Sequence, residues 1–181
     1  GFTLPTPGNP DIIWASSYER IRGPYFLKSG GPGSNLWKST DAGKTWSEIK
    51  GGGWPETEKG RIAFSIFAPN GNVVYAMVEA DSVRGRPVGS GPQKLANGLY
   101  RTMDGGKTWE KTNDANTRPF YYSQVRVHPR DSNRVWFSSG GDPTSWDTAA
   151  DGQWLDTTYP IQGMAAMRHM ILCFSEGYTE R

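Results

Sequence analysis

The stretch Ser39-Thr40-Asp41-Ala42-Gly43-Lys44-Thr45-Trp46, STDAGKTW, returns 63 positions later as TMDGGKTW, Thr102 to Trp109. The match widens outward: SNLWKSTDAGKTWSEI (34–49) aligns with NGLYRTMDGGKTWEKT (97–112), setting Leu36 on Leu99, Trp37 on Tyr100 and Lys38 on Arg101. A second signature precedes each copy and occurs a third time, as PGNPDIIWA from Pro7, PNGNVVYAM from Pro69 and PRDSNRVWF from Pro129. From that proline to the box aspartate is 34 residues in the first unit and 35 in the second, so register is kept. A period of this kind decides the architecture, because each unit is one supersecondary element that buries its apolar faces only against its neighbours.

Each unit reads as four short strands. In the second, RIAFSIFA alternates as strand one, PNGN turns, VVYAMVE is a buried run, a long loop follows, GLYRT is strand three, DGGK turns and TWEKT is strand four. A repeating four-stranded antiparallel meander is a propeller blade. The expected fold is therefore all-β, a partial β-propeller of about three four-stranded antiparallel blades at residues 1–50, 60–112 and 121–156, the first without its opening strand. In the third unit the box has decayed to DTAADGQW, which keeps Asp151, Gly152 and Trp154. Residues 157–181 are methionine-rich and follow neither blade; they read as an insertion or an error of reading frame. A closed ring needs at least four blades, so further blades are expected outside this chain.

The box itself reads as a structural turn. A short carboxylate at Asp41 or Asp104 accepts hydrogen bonds from N–H groups a few residues on, Gly43 and Gly106 supply positive φ, and Thr45 and Thr108 restart the strand. The indoles of Trp46 and Trp109 are expected to wedge between sheets. A motif used twice at one period is scaffold, since an active site does not need duplicates.

Composition narrows the function classes. With 23 Gly, 13 Pro, 35% hydrophobic and 21% charged residues in 181, the chain is loop-rich and globular. A formal charge of +2, from 20 basic and 18 acidic side chains without a basic run, argues against nucleic acid as a partner. Cys173 has no intrachain partner, and His128 and His169 make no zinc cluster, so neither metal nor cofactor is expected. No apolar window reaches the roughly 18 residues of a transmembrane segment. The start, GFTLPTPGNP, lacks the regions of a signal peptide.

The box matches the pattern S/T-x-D-x-G-x-T-W at Ser39, Asp41, Gly43, Thr45 and Trp46, and again at Thr102, Asp104, Gly106, Thr108 and Trp109. It resembles the Asp-box, or BNR repeat. With its context over residues 1–139 the chain looks like the bacterial proteins grouped with the sortilin/VPS10 propeller and the xyloglucanase-type glycosidases. That resemblance implies a large multi-bladed propeller, exported to the periplasm or the medium. It leaves the chemistry open, since such propellers host hydrolases, receptors and assembly factors.

Connections in a meander alternate ends, so the boxes share one face with the strand 1–2 turns, and the long 2–3 and 4–1 loops share the other. Binding residues concentrate where long loops converge on a rigid scaffold. The candidates on that face are Tyr18, Arg20, Arg22 and Tyr25 from residues 16–35, Arg84 and Arg86 from residues 80–97, and Arg61, Arg118, Phe120, Tyr121 and Tyr122 from the blade connections. A loop arginine is ordinarily solvated, and Phe120 to Tyr122 also suit the start of a strand. Two carboxylates flanking the scissile bond would be needed for glycoside cleavage. Glu19, Glu56, Glu58, Glu79, Asp81 and Asp114 lie on the correct face, with no pair at a diagnostic spacing. The F-R-I-P signature of sialidases is missing, and GRIAF at Gly60 is a distant echo of it. The first reading is a non-catalytic recognition propeller of the sortilin type, binding a peptide, protein or glycan on the long-loop face. The alternative is a polysaccharide-acting glycoside hydrolase, xyloglucanase- or sialidase-like, whose catalytic carboxylates lie partly outside this chain.

Overall fold

The computed structural model describes residues 3–80, 96–114, 116, 123–138, 161–167 and 170–175. Among them every regular element is a strand. The first blade is a four-stranded antiparallel sheet of β1 (Thr3–Thr6), β2 (Asn9–Ser16), β5 (Leu36–Ser39) and β6 (Ser47–Glu48), in that order. Its 2–3 loop folds a small hairpin, β3 (Arg20–Arg22) with β4 (Leu27–Ser29). The second blade runs β7 (Lys59–Ile66), β8 (Val74–Ala80), β9 (Gly98–Thr102) and β10 (Glu110–Asn113), paired as neighbours in sequence. The third unit contributes β11 (Gln124–Val127) and β12 (Val135–Ser138). Ile161–Met167 (β13) pairs antiparallel with Met170–Ser175 (β14). The decayed third box lies outside the described residues.

One expectation is corrected. The first blade does have its opening strand, since Leu4 pairs with Trp14 and Pro5 with Ile13. The sequence TLPT hid it because proline cannot donate to a ladder; β1 is an edge strand, where that missing donor costs nothing.

The two complete blades repeat residue for residue. Ser39 pairs with Ile13 as Thr102 pairs with Val74, Lys38 with Trp14 as Arg101 with Tyr75, and Leu36 with Ser16 as Leu99 with Met77. Equivalent positions then face equivalent ways. Trp14 and Leu36 join Phe64, Val74, Ala76, Tyr100 and Trp109 in a core between the first and second blades. Their counterparts Tyr75 and Leu99 join Val125 and Val135 in a core between the second and third. Each sheet thus presents one face forward and one back, the packing of a partial propeller, and β8 is buried along its whole length because both its faces are covered.

The connection between the blades uses Gly51, Gly52 and Gly53, with φ of 67°, 58° and 93°. This run lays its backbone against the second box: Trp109 N donates to Gly52 O at 2.6 Å, and a β-carbon on Gly53 would collide with Trp109 O. Trp54 then packs its ring 4.6 Å from that of Trp109, and the Trp109 ring meets Trp14 edge-on at 6.3 Å.

Candidate functional site

The boxes form one end of the sheets. Ser39 Oγ donates to Asp41 Oδ1 at 2.8 Å and accepts from Gly43 N at 2.8 Å, while Thr45 N reaches Oδ1 at 2.8 Å and Thr45 Oγ1 reaches Oδ2 at 2.6 Å. Thr102, Asp104, Gly106 and Thr108 reproduce this, and Lys107 N adds a bond to Asp104 Oδ1 at 2.9 Å. The carboxylates are held by their own turns, though by donors three and four residues on and by the flanking hydroxyls. Ala42 N donates to Asp11 O near the start of β2, and Gly105 N to Asn72 O just before β8, which ties each box to the beginning of its blade's second strand.

These bonds favour the ionised form. The Thr45 hydroxyl, then the Thr45 amide and the Ser39 hydroxyl, hold the Asp41 carboxyl down at about 2. The Thr108 hydroxyl and amide and the Thr102 hydroxyl depress Asp104 in the same sense. A carboxylate with a depressed folded pKa adds stability that is complete above its unfolded value and is lost as pH falls through the folded one. The melting temperature is therefore expected to drop as pH falls from 3.8 toward about 2. The Asp41→Asn, Asp104→Asn double variant should melt lower at neutral pH and lose less in that window. Thermal melts across the pH range, alongside a ligand assay, check this. Loss of ligand with unchanged melting would assign the boxes to a site instead.

The box tryptophans part company. Trp109 is 6% exposed and wedges between the blades as expected. Trp46 is 40% exposed and its Nε1 donates to Gly43 O at 3.1 Å, a correction to the expectation for that residue. The reason is positional: Trp109 faces back onto Trp14 of the first sheet, and among the described residues no sheet lies behind the first.

At the opposite end of the sheets the 2–3 loop of the first blade meets the second blade. Gly31 N donates to Lys59 O at 3.1 Å, and Ser29 Oγ donates to Glu79 Oε2 at 2.7 Å, joining residues 50 apart in sequence. The Ser29 proton being committed to the carboxylate, Tyr18 OH donates to Ser29 Oγ at 2.7 Å. Glu79 Oε2 also accepts from Arg61 N at 2.7 Å. Glu79 is only 7% exposed, and Gly60 makes room for its carboxylate, where a β-carbon would collide. A pocket opens here, lined by Ser29, Gly30, Glu58, Lys59, Gly60, Glu79 and Ala80. Lys59 Nζ donates to Pro55 O and Thr57 O, and burial lowers its pKa.

The predicted residues distribute unevenly over this face. Tyr18 and Arg61 do not line the pocket but bond residues that do, Tyr18 to Ser29 through its hydroxyl and Arg61 to Glu79 through its backbone amide. Arg20, Arg22 and Tyr25 sit exposed on the β3–β4 hairpin. Among the carboxylates Glu58 and Glu79 line the pocket, whereas Glu19 accepts from Gly33 N and pairs with Lys28 at 3.8 Å. Glu56 and Asp114 are exposed, and Asp114 pairs with Lys111. Arg84, Arg86, Arg118, Phe120, Tyr121, Tyr122 and Asp81 lie outside the described residues. Sequence reasoning missed Ser29 and Gly60, and the signal was faint, a serine before glycines and a glycine opening a strand. Among the described residues no group of three or more His, Cys, Asp or Glu is placed to hold a metal ion, and no helix is long and apolar enough to cross a membrane.

No family model matches the chain. It is 31% identical over 153 residues to the probable oligoxyloglucan-reducing end-specific xyloglucanase of Neosartorya fischeri, which covers 83% of this chain and 17% of that protein. It is 26% identical over 149 residues to a xyloglucanase of a Paenibacillus species, covering 76% of this chain and 12% of that protein. Similar solved structures include a GH74 enzyme from Niastella koreensis, with a TM-score of 0.49 at 16% identity over 76% of this chain and 20% of that one. A GH74 xyloglucanase from Xanthomonas campestris gives 0.45 at 19% identity over 94% and 26%. The chain thus spans less than a fifth of the length of these curated relatives, and its similarity runs to xyloglucanases rather than to sorting receptors in particular.

Proposed function

We propose that this chain forms part of a polysaccharide-acting glycoside hydrolase of the xyloglucanase type, with the glycan held on the long-loop face. The observation that carries the reading is the 31% identity over 83% of the chain to a probable xyloglucanase. The chemistry of the seam agrees with it. Glycoside cleavage uses a pair of carboxylates flanking the bond, one to protonate the leaving oxygen and one to attack or to activate water. Glu58 and Glu79 are the described carboxylates that line a pocket on this face, Glu79 oriented by Ser29 and the Arg61 amide, Glu58 exposed to an incoming ligand. This chain supplies glycan contacts and at most part of the pair, the rest coming from the length that the relatives have and this chain lacks. A polymer of this size is met outside the cytoplasm, so export belongs to the same reading. Carboxylate chemistry needs no cofactor.

The test uses the full-length protein that carries this chain. Incubated with xyloglucan, cellulose, a sialoside and a peptide library, it is expected to release new reducing ends from xyloglucan alone. Retention of a peptide with no sugar cleaved would overturn the reading and restore the recognition propeller.

A further inference from the structure

The strand 1–2 turn is built the same way in the second and third blades. Phe67 N donates to Val73 O at 2.9 Å, and His128 N to Arg134 O at 2.8 Å. Inside the turn Val73 N reaches Asn70 O and Arg134 N reaches Asp131 O, while Asn72 N bonds Asn70 Oδ1 as Asn133 N bonds Asp131 Oδ1. These bonds set His128 on Phe67 and Arg134 on Val73, although Pro129 follows His128 directly and Pro69 stands two places after Phe67. Phe67 and Val73 belong to the apolar core between the second and third blades. At the same two places the third blade carries an imidazole and a guanidinium. Departures of this kind from a fold's own pattern concentrate at functional sites.

The imidazole is committed to its uncharged form. His128 is 4% exposed, its ring lies 5.3 Å from that of Trp136 on β12, and its Nδ1 accepts a hydrogen bond from Arg130 N at 3.1 Å. A protonated ring has no acceptor left at Nδ1. Two N–H groups would then face each other, and a third cation would join Arg130 and Arg134 in one turn. The carboxylate that could offset it, Asp131, already accepts from Asn133 N and pairs with Arg134 Nε at 3.4 Å. Across the seam β8 presents the Tyr75 hydroxyl, beside which Arg101 and Glu110 pair with each other at 2.9 Å. Burial first, then Arg134 and Arg130, hold the His128 pKa below its ordinary value against the pull of Asp131. The same turn seats the third blade on the second. Tyr75 OH donates to Ser132 O at 2.8 Å, and Val127 N, next to His128, donates to Ser65 Oγ at 3.1 Å.

We propose that His128 is an acid-sensitive joint: uncharged, it locks the turn between β11 and β12 onto the second blade, and protonated, it releases that turn. The inference stands apart from the hydrolase reading and is indifferent to the ligand. With a folded pKa below the unfolded one, His128 contributes stability that is complete above 6.5 and is lost as pH falls through the folded value. That loss begins above the window set by the box carboxylates, which opens at 3.8, so the two are separable.

The experiment is hydrogen exchange of the full-length protein that carries this chain, read by mass spectrometry at about pH 7.5 and about pH 5 with intrinsic rates corrected. Protection over residues 128–136 is expected to fall about tenfold at the lower pH, while residues 9–16 of the first blade keep theirs. His128→Asn keeps an acceptor at the Nδ1 position, and His128→Phe restores the ring that the second blade uses; neither takes up a proton. Both are expected to hold residues 128–136 equally protected at the two pH values, and His169→Asn to behave as the parent. Parent protection that does not change with pH would overturn the joint, as would a loss that a folded His128 variant shares or that His169→Asn removes. A loss spread evenly over residues 9–16 as well would assign the acid effect to the whole fold and overturn it too.

Discussion

Trp109→Ala is expected to destabilise the chain by about 3–5 kcal/mol, while Trp46→Ala, the same substitution at the same place in the same motif, costs about 1 kcal/mol or less. The two residues sit in boxes whose bonds from hydroxyl, aspartate and turn amide match, so the turn itself does not separate them. What separates them is the neighbour. Trp109 fills the space between two sheets, touching Trp14 edge-on and Trp54 at a ring distance of 4.6 Å, and removing it leaves a cavity that rigid β-strands on both sides cannot close. Trp46 has its ring largely in water, held by a bond from Nε1 to Gly43 O. Chemical denaturation of the 181-residue chain, with midpoints compared at constant slope, measures both. Equal losses would mean that the box tryptophan acts within its own turn and that the inter-blade packing has been misjudged.

The same contrast marks how far the sequence could be read. The box, its spacing from the proline signature and the period-two strands made the blades legible, because each of these is a local pattern within about ten residues. The opposite placement of the boxes and the long loops followed from meander topology alone. Contacts between blades were not legible. Glu79 was one of six carboxylates on the correct face, and only its meeting with Ser29, 50 residues away, sets it apart from Glu56 or Asp114. The β3–β4 hairpin was hidden inside a loop whose strands are three residues each, too short to show alternation. β1 was masked by a proline that an edge position tolerates. Trp46 and Trp109 share a motif, so no local rule could give them different surroundings.

The glycine run between the blades gives the second large effect. Gly53→Ala is expected to cost on the order of 2–5 kcal/mol, and Gly51→Ala, two residues earlier, about 1–2 kcal/mol. Both glycines have positive φ, 67° at Gly51 and 93° at Gly53, so both variants bear the cost of holding an L side chain on the left-handed side. Only one of them meets an obstacle. A β-carbon at Gly51 has nothing within 4 Å, whereas at Gly53 it would run into the carbonyl oxygen of Trp109, which belongs to backbone and cannot swing aside. Relief requires the linker to lift away from the second box. That movement would strain the 2.6 Å bond from Trp109 N to Gly52 O and draw Trp54 off the indole beneath it. The damage would therefore spread into the inter-blade core, and Gly53→Ala should also redden the tryptophan emission as Trp54 and Trp109 gain water, while Gly51→Ala should not. Denaturation midpoints and emission maxima of the two variants decide it. If they lose the same stability with unchanged emission, the linker is a slack connection, and the two blades are held together by their facing sheets alone.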